Sequence, residues 1–423
     1  MKFWSFTLGC KVNQYETELF KEQVLGPGDT LAENPAEADV CFINTCTVTA
    51  FADKEGRQVV RRVLRENPNA RVIVTGCYAT RSLQDLRKIS GRLEIYSNSE
   101  KRNLPSCFGF EIDSVPLGIC RFADRSRAFL KIQDGCQAPC SYCVIPQVRP
   151  KLWSKPADEV LAEAMTLIRN GYQEIVLTGI RLGLYHGVEN ADGLKPGLIN
   201  LVGLLGKLVA LPGEFRLRLS SLEVTEISDE MLDFVSRNSK ICRHFHVPLQ
   251  AGSSGVLKAM NRWYDLDFFK GKVNRIREAI PDCGLTTDVM AGFPTETENQ
   301  FQEGLNNIEE MDFSGMHIFR FSGREGTKAA SLKALPPQTV QARAKALAQV
   351  DEKLRRMFYN RFEGTIRETL CEPTGEGWTD NYIRVEIPKD LVKTGLLHTR
   401  VYSARFSIPQ IKKRAQKSPP INV

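Results

Sequence analysis

The chain of 423 residues has no hydrophobic run long enough to cross a membrane. Its longest apolar stretch, GLINLVGLLGKLVAL (197–211), falls short of the ~20 residues of a spanning helix and carries Lys207 inside it. No export signal is expected at the start either. The apolar residues ahead of Cys10 are fewer than the roughly 7–15 of a signal core, and Thr7 stands where a lipoprotein cleavage site favours Leu. No segment repeats at solenoid periods. Neither charge sign dominates: 57 Lys and Arg face 50 Asp and Glu, a net charge of +7 that permits a polyanionic partner without requiring one. Hydrophobic residues at 42% and charged residues at 25% exclude a disordered, collagen-like or coiled-coil chain. The length suits two to four domains of about 100–200 residues and is ample for a buried core.

Cysteine, by contrast, is abundant, with twelve residues. In a long chain without an export signal, these imply metal or redox chemistry and not a disulfide framework. The expected location is the cytoplasm, with reduced cysteines and no membrane partner.

The pattern along the chain predicts an α/β protein. Strands at 3–8, 39–45 and 71–75 alternate with helices over about 13–24 and 50–66, which implies a parallel sheet. From about residue 126 six more strand–helix units follow, with strands at AFLKI, EIVLTG (174–179), FRLRLSS (215–221), HFHVPL (244–249), LTTDVMAGF (285–293) and MHIFRFS (316–322). Six such units in series suggest an open or closed (β/α) barrel. A long helix over about 338–360 leads to a tail of short strands read as a small β-barrel or sandwich, with a basic, Pro-rich end.

Two sets of cysteines carry the chemistry. CQAPCSYC places Cys136, Cys140 and Cys143 at C-x₃-C-x₂-C spacing just after the strand-like FLKIQDG, at the barrel mouth. Three thiolates in one loop hold three irons of a [4Fe–4S] cluster and leave the fourth open to a small-molecule chelate. The alternative is a zinc site, which wants four ligands, and no His or fourth Cys follows closely. Cys10, Cys46 and Cys77 each lie one or two residues past a predicted strand, in FTLGC, INTC and VTGC. In a parallel sheet those strand ends share the edge where α/β folds bind ligands, so the three can meet and hold a second cluster. The alternative is three ordinary buried cysteines. Cys41, Cys107, Cys120, Cys242, Cys283 and Cys371 show no ligand spacing and read as packing residues.

At these residues the chain resembles the radical S-adenosylmethionine (SAM) methylthiotransferases, the family that includes MiaB, RimO and MtaB, over nearly its whole length. TLGCKVNQYE (7–16), NTC (44–46) and TGCYA (75–79) resemble the amino-terminal domain, and CQAPCSYCVIP (136–146) resembles the radical-SAM loop, with Tyr142 at its aromatic position. HVPLQAGSSGVLKAMNR (246–262), TDVMAGFPTETE (287–298) and HIFRFSGREGT (317–327) resemble the later barrel segments, and GWTDNYIRV (377–385) resembles the RNA-binding TRAM module. Pro150, Arg181, Thr295 and Arg320 depart from the family's usual residues. The resemblance implies an α/β chain in three parts: an amino-terminal parallel-sheet domain with an auxiliary cluster (1–122), a partial (β/α) TIM-type radical-SAM barrel (123–358) and a small TRAM β-barrel (359–423).

Within the family, Lys11, Val12 and Asn13 favour the branch acting on N6-threonylcarbamoyladenosine, 3′-adjacent to the tRNA anticodon. The other branches act on isopentenyladenosine in tRNA or on a ribosomal protein aspartate. The implied cofactors are two [4Fe–4S] clusters and SAM. The implied partners are the tRNA anticodon stem-loop, a one-electron donor such as flavodoxin or ferredoxin, and a sulfur donor. The implied reaction removes a hydrogen from carbon 2 of the adenine with a SAM-derived radical and installs a methylthio group there. Gly179, Ser221 and Gln250, each after a predicted barrel strand, are expected to bind SAM together with Tyr142, although a Ser or Gln there also suits a turn or cap. Trp378 and Tyr382 are expected to stack bases, and Arg384, Arg400 and Arg405 to meet phosphates, against the alternatives of core packing and a solvated surface. A third possibility from another class is a metal-stabilised RNA-binding protein without turnover.

Overall fold

Short apolar strands set between amphipathic helices build the first unit, in a computed structural model that describes residues 1–122, 126–189, 197–373, 375–387 and 395–401. Five parallel strands lie in the order Thr30–Leu31, Lys2–Thr7, Val40–Thr45, Arg71–Gly76, Glu94–Ile95. The central Val40–Thr45 strand is buried at every position, as a parallel strand covered on both faces must be. Helices Lys11–Val24 and Ala50–Glu66 connect the strands, and the second starts where the Thr49 side chain accepts the Ala52 N–H. The strand order reverses between Lys2–Thr7 and Val40–Thr45, so a crevice opens beyond their carboxyl ends.

The second unit is the expected partial barrel. Parallel strands Arg127–Lys131, Glu174–Thr178 and Arg216–Leu219 form one half, and His244–His246, Gly284–Ala291 and Gly315–Arg320 the other. Bridges Leu217–Ile241 and Ser221–His246 join the halves. Among the described residues no ladder joins the two outer strands, Arg127–Lys131 and Gly315–Arg320, so the barrel stays open on that side. Helices Ala157–Arg169, Leu201–Val209, Asp229–Arg237, Leu266–Ala279 and Glu298–Glu310 cover the outside. On Leu201–Val209 the buried Leu201, Leu204, Leu205 and Leu208 fall at i, i+3, i+4 and i+7, the spacing of one helical face turned to the barrel.

Helix Pro337–Phe362 joins the barrel to the tail. Its Ala344, Leu347, Val350 and Leu354 belong to the barrel core, whereas Phe358 and Phe362 belong to the core of the tail. The tail is a four-stranded antiparallel sheet in the order Arg384–Glu386, Glu376–Thr379, Ile366–Cys371, Gly395–Arg400. Residues 402–423 of the segment expected to form a small β-barrel lie outside the described residues.

This sheet sits under the amino-terminal ends of the barrel strands. Buried Glu174 pairs with Arg216 at 2.7 Å and Arg218 at 2.9 Å, and these guanidinium groups donate onward to the Trp378 carbonyl (2.7 Å) and the Thr379 carbonyl (3.0 Å). Burial alone would raise the Glu174 pKa, but Arg218 and Arg216 hold it well below the carboxylate range. The cysteine loops lie at the opposite, carboxyl end of the strands. Among the described residues no helix is long and apolar enough to span a membrane.

Candidate iron–sulfur and substrate site

The auxiliary triad assembles at the crevice of the first sheet. Cys10, Cys46 and Cys77 each directly follow or lie close beyond the ends of three adjacent strands. Gly9 and Gly76 bracket the site with φ of 101°, a conformation side chains resist. A Cβ on Gly9 would lie 2.9 Å from the Cys46 Cβ, and one on Gly76 would collide with the Thr45 backbone. Cys46 and Cys77 are buried and Cys10 is exposed. Burial pushes the Cys46 thiol up to about 12, with Cys77 and Cys10 adding to the rise. Cys10 opens onto solvent yet is hemmed in closely enough that burial raises its pKa too, against the pull of Arg149. Such thiols release their protons when a metal binds.

Behind this triad lies a buried charge network contributed by both units. Glu16 meets Lys101, Lys131 (2.7 Å) and Arg149 (2.8 Å), while Asp134 meets Lys131 (2.6 Å) and Arg149 (2.7 Å). Arg149 also donates to Asn13 Oδ1 at 2.9 Å, and Asn13 donates in turn to the Leu8 and Thr45 carbonyls beside Cys10 and Cys46. Burial opposes the ionisation of Glu16, but Arg149, Lys101 and Lys131 hold its pKa well below the usual range. Three cations against two carboxylates leave a surplus of one positive charge. Burial lowers the Lys101 pKa against the opposing pull of Glu16. The backbone of Arg149 serves the other triad, because its carbonyl accepts the Cys136 N–H at 3.0 Å. One residue therefore links both cysteine sites, reaching the first through Asn13.

The second triad is held as a tight loop. Gly135 at φ 83° turns the chain where a Cβ would collide with the Lys151 carbonyl. Segment 259–262 then clamps the loop. Ser141 N–H donates to the Met260 carbonyl and Ser141 Oγ to the Ala259 carbonyl, both at 2.9 Å, and Asn261 Nδ2 donates to the Pro139 carbonyl at 2.7 Å. Arg262 Nη1 donates to Cys140 Sγ at 3.3 Å. Burial pushes Cys143 up to about 12 and also raises Cys140, which Arg262 counteracts. Departures from the family pattern are absorbed locally: the Pro150 carbonyl accepts from Gln137, and Arg181 pairs with Glu226 and lies over the Trp263 ring.

A cavity of about 190 Å³ lies against Cys143 of the second triad and reaches the segment just past Cys46. Val48 and Thr49, just past Cys46, line one side, and Tyr142, Cys143, Gln250, Asp288, Met290 and Phe319 line others. Gln250 sits at φ 71°, its N–H donating to the Asp288 carbonyl at 2.8 Å. Deeper in the barrel His246 pairs with Asp288 at 3.2 Å and lies 5.4 Å from the His317 ring.

Of the residues expected to bind SAM, Tyr142 and Gln250 share this cavity. Gly179, packed against the Gln133 side chain, and exposed Ser221 stand at other strand tops and are not among its lining. Of those expected to meet RNA, Trp378 and Tyr382 stack on each other at 4.6 Å, and Tyr382 stacks on His244 of the barrel floor at 4.3 Å. Both rings are thus engaged at the sheet–barrel contact. Arg384 pairs with Glu376, Arg400 ends the last described strand, and Arg405 lies outside the described residues. Sequence reasoning missed Glu16, Arg149 and Arg262. The only available signal was that Glu16 and Arg262 fall inside the family-like blocks already quoted.

The residues present fit iron–sulfur clusters. Each site offers three cysteines and a cation, and the auxiliary site adds Asn98, whose Nδ2 reaches Cys77 Sγ at 3.5 Å while its Oδ1 is buried without a partner. The Arg149 Nε is likewise buried without a partner. Among the described residues no three His, Cys, Asp or Glu side chains converge on a point one metal ion could occupy.

A partial parallel barrel carrying a three-cysteine loop at its mouth defines a radical SAM enzyme. The radical SAM superfamily profile matches residues 130–308, and that of the "Uncharacterized protein family UPF0004" matches residues 2–96. The fold is shared with a radical SAM methyltransferase, TsrM, from Kitasatospora setae, solved with cobalamin and a [4Fe–4S] cluster. The TM-score is 0.54 at 14% identity, covering 78% of this chain and 77% of that one. The chain is 37% identical to the threonylcarbamoyladenosine tRNA methylthiotransferase MtaB of Bacillus subtilis (strain 168), over 90% of this chain and 88% of that protein. It is 35% identical to the MtaB of Chlamydia pneumoniae over 93% of each chain. A tRNA-2-methylthio-N(6)-dimethylallyladenosine synthase from Thermodesulfovibrio yellowstonii is 30% identical, over 93% of this chain and 94% of that one. The chain belongs to the radical SAM methylthiotransferase family, and its chemistry requires iron–sulfur and SAM.

Proposed function

We propose that the protein adds a methylthio group to carbon 2 of N6-threonylcarbamoyladenosine, 3′-adjacent to the anticodon of tRNA. The observation that carries this reading is the cavity bounded by residues from both cysteine loops, large enough for a flat base between a radical source and a sulfur source. The branch is supported by the names of the relatives at 35–37% identity. Cys136, Cys140 and Cys143 would hold the SAM-binding cluster, and Cys10, Cys46 and Cys77 the auxiliary one. When bound, the clusters and SAM supply the electron, the radical and the sulfur. The chain's own residues position and enclose. Tyr142 and Gln250 line the wall on the SAM side, joined in SAM binding by Gly179 and Ser221, and Met290 and Phe321 exclude water from the reacting face.

The parts would be 1–122 for the auxiliary cluster, 123–358 for the radical-SAM core and 359–423 for a TRAM-like RNA-binding module. Arg384, Arg400 and Arg405 would meet phosphates, while Trp378 and Tyr382 would fix the module to the barrel and leave base stacking to other residues. The protein would work in the cytoplasm with an external one-electron donor, such as flavodoxin or ferredoxin, and a sulfur donor.

The test is anaerobic reconstitution with iron and sulfide to about eight irons per chain, then incubation with SAM, reductant and anticodon stem-loops. Mass spectrometry should find methylthio product on the threonylcarbamoyladenosine stem-loop. Product confined to an isopentenyladenosine stem-loop or a ribosomal protein would move the substrate. Stem-loop binding without SAM cleavage would favour the non-catalytic reading.

A further inference from the structure

We propose that Arg262 sets the reduction potential of the cluster held by Cys136, Cys140 and Cys143, through its hydrogen bond to the Cys140 sulfur. This rests on the cluster assignment above. Arg262 lies 122 residues from Cys140 in sequence, yet its Nη1 donates to Cys140 Sγ at 3.3 Å. The contact is the last of a series. Ala259 and Met260 accept from Ser141, Asn261 donates to the Pro139 carbonyl, and Arg262 takes the cysteine between them. Asn261 adopts φ 57°, which turns the chain from helix Ser254–Ala259 into this contact.

The guanidinium is fixed on every side. Its Nη2 meets Glu223, its Nε donates to the Tyr264 hydroxyl at 3.1 Å, and its plane lies over the Trp263 and Tyr264 rings at 4.5 and 4.8 Å. Tyr264 donates to the Pro248 and Leu249 carbonyls, so the same brace reaches the backbone next to Gln250 on the cavity wall. The Arg262 side chain is only 2% exposed. A buried N–H donor and permanent cation at a ligating sulfur favours the more negative, reduced cluster, and so raises its potential. Arg262 touches the ligand and not the reacting atoms, so it is a positioning residue.

The full chain carrying Cys10→Ala, Cys46→Ala and Cys77→Ala leaves only this cluster to titrate. In that background Arg262→Gln and Arg262→Lys are compared by iron content and by a redox titration followed by electron paramagnetic resonance. Arg262→Gln should keep the iron and show a more negative midpoint. The ratio of reduced to oxidised cluster at a fixed potential should fall about tenfold, equivalent to ~59 mV for one electron. Arg262→Lys keeps the charge without the planar fork and should fall between. An unchanged midpoint in Arg262→Gln at full iron content overturns the proposal. If Arg262→Gln fails to hold the cluster, Arg262→Lys decides, and an unchanged midpoint there has the same force. Loss of iron in both variants would make Arg262 an assembly residue and overturn tuning, whereas too little iron in the Arg262-intact parent would refute the cluster assignment itself.

Discussion

Glu16→Gln is the substitution that tests the buried network between the two cysteine sites most directly. Glu16 is the carboxylate shared by Lys101, Lys131 and Arg149, and its side chain is 10% exposed. Removing its charge leaves three cations facing Asp134 alone, so the buried surplus rises from one positive charge to two. Breaking a buried pair costs about 3–5 kcal/mol. The amide retains one acceptor oxygen, which places the expected loss near the lower figure, ~3 kcal/mol. Lys101 is the cation with no second carboxylate, so Lys101→Met in the Glu16→Gln background restores the original surplus. The pair should therefore be non-additive by about 1 kcal/mol or more. Urea denaturation of the four proteins, read at the transition that exposes the first unit, measures this. The pH dependence has a definite sign. The folded pKa of Glu16 is depressed, so its contribution is complete above the unfolded glutamate value of about 4.3 and is lost as pH falls through the lower folded value. Glu16→Gln should lack that part of the acid limb. A cost below about 1 kcal/mol, or additivity within about 0.5 kcal/mol, would show that the network does not act as a unit.

Two further outcomes follow from the geometry. Cys140→Ala should abolish reductive SAM cleavage, while Cys46→Ala should preserve cleavage uncoupled from product; 5′-deoxyadenosine release measured for both would refute this division of labour if both lost it with folding intact. Phe51, two residues past the cavity-lining Thr49, is 54% exposed and the cavity-lining Phe319 is 45% exposed, and the Ala50 N–H donates to Ser322 Oγ at 3.0 Å, joining the start of helix Ala50–Glu66 to the segment after strand Gly315–Arg320. If they stack loop nucleotides, each change to Ala should weaken stem-loop binding by about 1–3 kcal/mol in a filter-binding assay, with uncoupled SAM cleavage unchanged; equal binding would rule out stacking.

The local patterns carried much of the chemistry. C-x₃-C-x₂-C after FLKIQDG is a property of eight neighbouring residues, and the strand-end positions of Cys10, Cys46 and Cys77 follow from apolar runs that end just before each one. Helix Ala50–Glu66 and strands such as Arg71–Gly76 were equally legible, because burial on one or both faces writes its period into the chain. The tail was legible as strands but not in its use. Trp378 and Tyr382 suit base stacking as well as packing, and only the fold turned them onto His244 and the barrel floor.

By itself, then, the amino-acid order determined which residues could ligate iron and which segments could be strands or helices, since both depend on neighbours within a few positions. The tertiary structure alone decided the strand order that brings Cys10, Cys46 and Cys77 to one crevice. It also decided the meeting of Glu16 with Arg149 across 133 residues and of Arg262 with Cys140 across 122. Charged residues look alike in a sequence whether they face water or each other. Their roles are set by long-range contacts and by the burial that makes each pairing costly to break.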